Sequence, residues 1–405
     1  MKNPFPSFGG KYLPAPSKLN APSINWAVFV SMLLLLVIGV FFVRSANAIR
    51  TDSIQYQYLL VIKRWIPLGL VVHFIVAYFD YRRWTDWAWV LYVVIMLALA
   101  LVFFIGTERL GARRWLFGMQ PSEAAKFAVV LMIAFLLSRS TITNGYARLL
   151  LSLLAAGVPA VLVAMQPDLG TALVLVPTSV AMVFVAGCAP RTLATLCAAS
   201  LLFIGVFLAA ALLPEKLPPG QREKVEAVVD KIMFPHWQKR IEVFVYPDRD
   251  PLGAGWNKRQ SEIAVGSGGR WGKGYLNGTQ NILGFLPPAV SSTDFIYSVI
   301  AEETGFNGSV VLIVLYGTLL GGIVVTGLLC RDTTGRLLCT GVAALLFAHV
   351  FVNLAMTIGK MPITGIPLPL ISYGGSFTIS TMALLGLVQS VAIHGNKPTT
   401  GNIET

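Results

Sequence analysis

Ten long apolar stretches constrain the fold of this 405-residue chain more than any other feature. A helix needs about 20 apolar residues to cross the hydrocarbon core of a bilayer. Stretches of roughly that length lie at about 25–45, 58–79, 85–105, 121–138, 149–165, 170–187, 192–213, 295–328, 337–357 and 376–393, the eighth long enough for an extended end. Because lipid cannot satisfy free backbone N–H and C=O groups, these stretches must be helical. We therefore predict an all-α polytopic membrane protein with about ten transmembrane helices.

The composition excludes a soluble protein. Charged residues make up 12% of the chain and hydrophobic residues 55%, whereas a soluble protein carries about 25% charged residues. A net charge of +12 would suggest nucleic acid in a soluble chain, but in a membrane protein it is typical of cytoplasmic loops and of surfaces that meet anionic lipid. We therefore expect no nucleic-acid partner. The four cysteines lack metal-site spacing and are interpreted as packing residues: Cys188, Cys197, Cys330 and Cys339.

The distribution of basic residues orients the chain. Ten spans put both termini on one side, which holds eleven Lys and Arg residues, against seven in the short loops opposite. The positive-inside rule therefore predicts cytoplasmic tails at 1–24 and 394–405, with transmembrane blocks at 25–213 and 295–393. The outer loop at 109–114 carries a basic excess against that rule. We infer that this excess serves a function.

The connection between the seventh and eighth predicted helices, 214–294, is soluble in character. It holds nine of the nineteen acidic residues and is predicted to be a large extracytoplasmic loop. A connection of this length is usually functional. An interfacial helix is predicted inside it from apolar residues at helical spacing: Val225, Val228, Val229, Ile232 and Met233.

Ionisable groups in or beside the spans mark candidate sites, because burying them in lipid is costly. Glu123 and Lys126 lie three residues apart after Gln120 at the start of the fourth predicted span, so they share one helix face and can pair. Asp168 lies in the connection between the fifth and sixth spans, and Asp294 lies at the start of the eighth. These groups are predicted to gather at the outer side of the membrane.

Each candidate also has a purely structural interpretation. The Glu123–Lys126 pair could simply lock helices together, and Asp168 or Asp294 could only cap the helix that follows it. Glu302 and Glu303, two turns beyond the start of the eighth span, are expected to form hydrogen bonds inside the bundle rather than to react.

Two segments have unusual backbone composition. The glycine-rich Gly266–Gly274 invites a phosphate-loop interpretation, but such a loop needs a preceding strand and a following helix. We predict a turn-rich loop that acts as a lid. The segment Ile366–Ser376 is predicted to be a re-entrant or broken stretch, which a membrane tolerates only where it is buried or lines a cavity. The four histidines show no zinc-site spacing: His73, His236, His349 and His394.

Taken in order, these motifs resemble the SEDS family (shape, elongation, division and sporulation) of bacterial cell-wall polymerases. The matching pieces run from the third predicted span to the last: Gly111–Trp115, Gln120–Lys126, Gln166–Thr171, Gly266–Gly274, Thr293–Ile296 with Ala301–Glu303, and Pro367–Ser376. Three further pieces in the large loop resemble the elongation branch of the family more than the division branch: Asp250–Gly255, Gln260–Ser261 and Asn277–Gln280.

The resemblance implies a peptidoglycan glycosyltransferase that polymerises lipid II at the outer face of the bacterial plasma membrane during elongation. It also implies a class B penicillin-binding protein as transpeptidase partner, beside other membrane proteins of the elongation complex. Asp294 matches the family's essential acid and is the candidate general base. The candidate substrate-binding residues are Arg114, Trp115, Gln120, Glu123, Lys126, Asp168, Gln260, Gln280, Thr293, Ser372 and Ser376.

The chain departs from the family just before Asp294. The family commonly has Leu-Pro-Glu-x-His-Thr-Asp-Phe, whereas Leu286–Pro287 is followed here by Pro288-Ala289-Val290-Ser291-Ser292. The usual Glu and His are missing and two residues are added. Asp294 is retained, but no supporting role carries over to its neighbours.

The proposed reaction needs a base for the acceptor hydroxyl and positive charge for the leaving lipid diphosphate. Asp294 supplies the first, while Lys126 or Arg114 supplies the second. No cofactor is assigned with certainty, and a divalent cation, Mg²⁺ or Mn²⁺, is the alternative source of charge.

Two other functions are compatible with the pattern. A lipid II transporter (flippase) would also need a polar cavity, but its polar groups should continue to the inner leaflet. A scaffold for a transpeptidase would leave the buried acids unexplained. Because the polar motifs gather on one side, the sequence favours the enzyme.

Overall fold

The computed structural model describes residues 24–48, 59–109, 112–138, 144–212 and 235–395. Each of the ten predicted spans coincides with a helix or a continuous pair of helices. They are span 1 (Trp26–Ala46), span 2 (Val61–Tyr78), span 3 (Ala88–Ile105), span 4 (Pro121–Ser138), span 5 (Gly145–Met165), span 6 (Leu169–Val185), span 7 (Pro190–Leu212), span 8 (Ile296–Leu329), span 9 (Thr333–Thr357) and span 10 (Gly375–His394). Eight helices in the described part of the chain are long and apolar enough to cross a bilayer. Span 6 is a shorter apolar helix, and span 7 has 23 residues.

Local sequence explains where several spans begin. The side chain of Asn25 accepts a hydrogen bond from the backbone of Val28, and Asn144 caps span 5 in the same way. Such caps satisfy N–H groups that the first turn of a helix leaves free. Proline at the first position of span 4 (Pro121) also suits a helix start, because the missing N–H is not needed there.

Spans 4, 9 and 10 form the centre of the bundle, whereas spans 2 and 3 expose most of their surface. Span 10 packs against span 2, span 9 against spans 6 and 8, and span 4 against spans 3 and 5. Leu131 in span 4 and Leu385 in span 10 are completely buried. Polar residues on these central helices therefore lie within protein rather than in lipid.

Span 8 is bent near its beginning. Its 34 residues would extend about 51 Å at 1.5 Å per residue, far beyond the thickness of a bilayer core. Gly305 interrupts the helical backbone with a φ of 67°, a conformation that glycine adopts without steric cost. The part before Gly305 is the extended end that the length of the eighth stretch predicts.

The glycine-rich turn after residue 267 completes the broken backbone of span 8. The backbone N–H groups of Lys273 and Gly274 donate to the carbonyls of Glu302 and Glu303, at 3.0 and 2.9 Å. In return, the N–H of Phe306 donates to the turn at 2.8 Å. The prediction of a turn is confirmed, and the turn is hydrogen-bonded to the backbone on both sides of Gly305. Its role as a lid stays a prediction.

The large loop contains short helices of its own. They are Pro235–Val245, the 3₁₀ turn Pro247–Arg249, Ala254–Ser267, Thr279–Ile282 and Pro288–Ser291. The interfacial helix predicted around 225–233 lies outside the described residues, as do residues 1–23 and 396–405 of the two tails. The altered segment before Asp294 is occupied by the helical turn Pro288–Ser291.

The connection between spans 3 and 4 contains a small hairpin that was not predicted from the sequence. Strand β1 (Thr107–Arg109) pairs antiparallel with β2 (Ala112–Trp115). Strands of three and four residues are too short to show an alternating pattern, which explains why they were missed. The all-α membrane class is correct, with this hairpin as a local exception.

Candidate active site

The predicted pair in span 4 forms a buried salt bridge. Nζ of Lys126 lies 2.6 Å from Oε2 of Glu123, with side chains 1% and 7% exposed. The same ammonium group lies 3.3 Å from Nε2 of His349 in span 9 and 4.7 Å from the ring centre of Phe377 in span 10. Pairing is therefore confirmed, and these contacts also join three central spans, as the structural interpretation expects.

Asp168 caps span 6, as its structural interpretation predicts. Its Oδ1 accepts from the backbone N–H of Thr171 at 3.2 Å. Its Oδ2 accepts from Nε2 of Gln120 at 2.8 Å and from the hydroxyl of Ser122 at 3.1 Å. These bonds hold the start of span 4 against the start of span 6.

Asp294 has a different environment, because its side chain caps no helix. Span 8 begins after Phe295, which is the N-cap residue. The side chain of Phe295 accepts no hydrogen bond from the first turn of the helix. The backbone carbonyl of Asp294 accepts from Nδ2 of Asn353 at 2.8 Å, and Asn353 also donates to the carbonyl of Ile366 at 2.7 Å. Asn353 is completely buried. The backbone of Asp294 is thus fixed by Asn353, while its half-buried carboxylate has a hydrogen bond with Thr293.

The non-helical stretch between spans 9 and 10 runs beside the residues before Asp294. The hydroxyl of Ser372 donates to the carbonyl of Thr293 at 2.6 Å and accepts from the backbone N–H of Leu368 at 2.7 Å. The hydroxyl of Ser376 accepts from the backbone N–H of Gln120 at 3.1 Å. The predicted broken segment is therefore found, and its residues Ser372 and Ser376 contact two further predicted site residues, Thr293 and Gln120.

Two guanidinium groups act on the carboxylate of Asp294. Arg114 lies in strand β2 of the hairpin and donates to the carbonyl of Pro167. Arg240, on the loop helix Pro235–Val245, donates through Nη1 to the carbonyl of Ile363 at 2.8 Å. The pKa of Asp294 is raised to about 6, because burial and the nearby carboxylate of Asp168 raise it more than Arg240 and Arg114 lower it. Burial likewise lowers the pKa of Arg240.

Three predicted substrate residues make other contacts. The carbonyl of Trp115 accepts from the hydroxyl of Thr107 at 3.3 Å within the hairpin. Gln260 is buried on the loop helix Ala254–Ser267. The backbone N–H of Gln280 donates to Oε1 of Glu302 at 3.1 Å. The contacts of Trp115 and Gln280 are thus with Thr107 and Glu302 rather than with Asp294.

Glu302 and Glu303 are hydrogen-bonded, as expected, and their partners lie in the large loop and at the end of span 1. Oε1 of Glu302 lies 2.7 Å from Nζ of Lys273. Glu303 accepts from the hydroxyl of Ser45 at the end of span 1. These contacts fasten the loop to spans 1 and 8 on the side where Asp294 lies.

Three residues that contact or influence the site residues in the structure were not predicted from the sequence: Arg240, His349 and Asn353. His349 and Asn353 are four residues apart in an otherwise apolar span, so they share one helix face. Polar groups inside a span are costly, and that signal alone could have selected both. Arg240 had no comparable signal, because an Arg in a soluble loop is ordinary.

Comparisons with known proteins agree with this architecture. The family model described as a cell cycle protein, FtsW/RodA/SpoVE, matches residues 25–397. Among similar proteins, the peptidoglycan glycosyltransferase MrdB of Escherichia coli is 37% identical over 333 residues, which cover 81% of this chain and 84% of MrdB.

Solved structures are also similar over nearly the whole chain. One, from work on the coordination of polymerisation and crosslinking by a peptidoglycan synthase complex, is 31% identical with a TM-score of 0.70, covering 93% of this chain and 99% of that chain. Another is the rod shape determining protein RodA of Thermus thermophilus, 28% identical with a TM-score of 0.63 and the same coverage. The motifs, the ten-helix fold and these similarities agree that this chain belongs to the FtsW/RodA/SpoVE family, as the SEDS resemblance predicts.

Proposed function

We propose that this protein is a peptidoglycan glycosyltransferase that polymerises lipid II into glycan strands at the outer face of the bacterial plasma membrane during cell elongation. Family membership and the name of the similar E. coli protein support the activity. The observation that carries the proposal is the environment of Asp294. Its side chain caps no helix, its backbone is held by a hydrogen bond, and two guanidinium groups act on its carboxylate.

Asp294 is the general base of the proposed reaction. Its carboxylate accepts the proton of the acceptor hydroxyl as that oxygen attacks the anomeric carbon of the donor. A pKa of about 6 leaves it ionised at neutral pH and makes it a stronger base than an ordinary aspartate. Asn353 and Ser372 act as positioning residues, since they bind the backbone of Asp294 and Thr293.

Arg114 and Arg240 supply the positive charge that the leaving diphosphate requires. Fixed cations near a developing negative charge lower the barrier without a reorganisation cost. Lys126, a sequence-based candidate for this role, is already balanced by Glu123 at 2.6 Å. We therefore assign Glu123 and Lys126 to holding the central spans in place beside the substrate.

A divalent cation is the remaining alternative source of charge. The described residues contain no group of three or more His, Cys, Asp or Glu side chains arranged to hold a metal ion. Both oxygens of Asp168 already accept hydrogen bonds. Measuring polymerisation with EDTA, and then with added Mg²⁺ or Mn²⁺, separates the two sources. A rate that EDTA leaves unchanged assigns the charge to the guanidinium groups alone.

The proposal includes an orientation and partners. Both termini, 1–24 and 394–405, are placed in the cytoplasm, so that Asp294 and the loop 214–294 lie outside. A class B penicillin-binding protein is proposed as the transpeptidase, with other elongation-complex proteins nearby. The similar structure from a peptidoglycan synthase complex supports such a pairing. Gln260, Gln280 and Trp115 are proposed to contact the substrate from the surrounding loops.

The test uses the purified full chain in lipid nanodiscs with fluorescent lipid II. The expected product is a ladder of glycan strands on a denaturing gel, absent for Asp294→Asn. A parallel liposome assay measures movement of lipid II between leaflets. Movement without polymer would contradict the proposal and support the transporter.

A further inference from the structure

Glu302 and Glu303 bring two buried carboxylates together beside the large loop. A methyl group placed on Gly278 would lie 3.1 Å from Oε2 of Glu302 and 3.2 Å from Oε1 of Glu303, so both oxygens face the same point. The two residues are 1% and 2% exposed. Lys273 pairs with Glu302 at 2.7 Å, and within the described ranges no salt bridge balances Glu303. This group therefore holds one more negative charge than positive charge.

Three buried side-chain oxygens around these carboxylates accept no hydrogen bond from the described residues: Oε2 of Glu303, Oδ1 of Asn281 and Oδ1 of Asn47. All three residues are more than nine-tenths buried. The carboxylate of Glu303 interacts with the hydroxyl of Ser45 and with two backbone N–H groups of the loop, which leaves Oε2 free. Buried polar oxygens normally have a partner, because removing them from water without one is costly. The partner must donate a proton or carry positive charge, since these oxygens only accept.

Ser45, near the end of span 1, joins two of these side chains. Its hydroxyl donates to Oε1 of Glu303, and its carbonyl accepts from Nδ2 of Asn281 at 2.8 Å. Asn47, two residues later, donates through Nδ2 to the carbonyl of Val43 at 2.9 Å. Because each amide nitrogen is committed to a carbonyl, the orientation of each amide is fixed and its oxygen is the free end.

The group lies where water and ions can reach it. Span 8 from 306 to 329 extends about 36 Å at 1.5 Å per residue, which already crosses a hydrocarbon core of roughly 30 Å. Glu302 and Glu303 precede the break at Gly305, so they lie at the edge of that core. The side chain of Lys273 beside them is 28% exposed.

We propose that Glu303, Asn281 and Asn47 bind a divalent cation, with the carboxylate of Glu302 beside them. A proton on Glu303 would supply one donor only, whereas one cation can serve several oxygens and balances the excess charge. Carboxylate and amide oxygens are ligands of Ca²⁺, which accepts flexible geometry and completes its shell with water. Mg²⁺ requires near-ideal octahedral geometry and loses its waters reluctantly, so Ca²⁺ is the better fit.

This cation site is separate from the reacting groups. Glu303 lies about 10 Å along the helix axis from the first residue of span 8. Two of the three ligands are amides, so the site differs from the groups of three His, Cys, Asp or Glu side chains that the described part of the chain lacks. The cation fastens the large loop to spans 1 and 8, because its ligands come from all three.

The first experiment measures Ca²⁺ binding to the purified full chain after treatment with a chelator. Equilibrium dialysis gives the affinity, and the melting temperature gives the effect on folding, since a ligand that binds the folded state raises it. Added Ca²⁺ should raise the melting temperature at constant ionic strength, and Mg²⁺ should do so only at higher concentration. The absence of bound Ca²⁺ and of any rise with either cation would overturn the proposal, and water molecules alone would then satisfy the free oxygens.

Substitutions at Asn281 change the affinity in opposite directions. Loss of even an outer-shell partner costs about 10–100-fold in metal affinity, so Asn281→Leu, which removes a ligand, should weaken Ca²⁺ binding at least about tenfold. Asn281→Asp adds a second negative ligand and should bind Ca²⁺ more tightly than the unmodified protein. In the presence of the chelator the same variant should melt at a lower temperature than the unmodified protein, because it adds a buried charge without a partner.

The matched control is Asn277→Leu, at an exposed asparagine of the same loop segment, which should leave Ca²⁺ affinity unchanged. Glu303→Gln keeps the size of the side chain and removes its charge, so it should weaken binding at least as much as Asn281→Leu. If Asn281→Asp and Glu303→Gln bind Ca²⁺ as the unmodified protein does, the cation lies elsewhere and the assignment is wrong. Binding is measured without lipid II, so neither result depends on the proposed glycosyl transfer.

Discussion

Two aspartates at opposite ends of span 8 show how the same side chain serves structure in one place and chemistry in another. Asp332, just after the helix, accepts from the hydroxyl of Tyr81 at 2.7 Å and from the backbone N–H of Gly335 at 3.1 Å, and it pairs with Nε of Arg82 at 3.3 Å. Each carboxylate oxygen therefore has a partner. Asp332 caps span 9 and ties it to the connection between spans 2 and 3.

Asp294, just before the same helix, is satisfied much less completely. Its carboxylate has a hydrogen bond with Thr293 and is otherwise influenced by Arg114 and Arg240 through space. Its position is fixed through the backbone instead, by Asn353.

The difference shows which feature distinguishes a reactive acid from a structural one. A carboxylate whose oxygens are all hydrogen-bonded is stabilised in its ionised form and is therefore a weaker base, and removing it leaves its donors unpaired. A carboxylate held by its backbone, partly desolvated and near cations keeps that acceptor and has a shifted pKa. Charge and residue type alone do not separate the two.

The largest predicted effect is the loss of polymerisation in Asp294→Asn. The substitution keeps the size of the side chain and removes its ability to accept a proton, which contributes about 10²–10⁴-fold in general-base catalysis. The measurement is the rate of glycan formation by the purified variant. Asp332→Asn is the matched control and should polymerise at a near-normal rate. Equal losses of polymerisation rate in the two variants would contradict the distinction between a catalytic Asp294 and a structural Asp332.

A buried pair offers a third case, in which two charges satisfy each other. Glu123→Ala or Lys126→Ala should impair activity and lower the free energy of unfolding by about 3–5 kcal/mol, because each leaves one buried charge unpaired. The double variant should be no worse than either single one. Thermal unfolding in the same detergent measures the cycle, and purely additive losses would argue against a direct pair.

The contacts of Asp332 should affect the stability of the protein rather than its polymerisation rate. Asp332→Asn is expected to lower the free energy of unfolding by about 1–3 kcal/mol, since it removes one of the two carboxylates that pair with Arg82, the other being Asp80, and weakens the cap. Asp248→Asn, at a side chain that is 76% exposed, is the control and should change stability by less than about 0.5 kcal/mol. Equal stability of the Asp332→Asn and Asp248→Asn variants would show that the ionised Asp332 makes no measurable contribution to the free energy of unfolding.

The smallest predicted effect is a shift in pH dependence. The pKa of Asp294 is raised to about 6, so its base form is lost below that pH and kcat/KM should fall about tenfold per pH unit. Because the shift is upward, ionisation of this group also opposes folding, and its stabilising contribution disappears as the pH rises through 6. Arg240→Gln removes a nearby positive charge and should move the activity limb to higher pH. If the acidic limb of the pH profile does not move in Arg240→Gln, then the limb belongs to the titration of a group other than Asp294.

Much of the fold could be predicted from the sequence because lipid leaves the backbone few choices. An apolar stretch such as 376–393 must be a helix, since its N–H and C=O groups have no other partners in a bilayer. The same reasoning singled out Glu123 and Lys126, because a charge in such a stretch needs a partner, and three-residue spacing supplied one. No such rule applies to the altered segment before Asp294, because it is not an apolar span. Its helical turn was therefore not predicted.

The sequence by itself therefore determined the ten spans, the family and the acids that could act, since each depends on local periodicity or a contiguous motif. Only the tertiary structure decided their roles. Asp168 became a cap and Asp294 did not, because their oxygens meet different donors from distant segments. Arg240 reaches Asp294 across Gly365 although 54 residues separate the two charged residues. Such convergence depends on how helices and loops pack against one another, and long-range contacts of this kind leave no periodic trace in a single sequence.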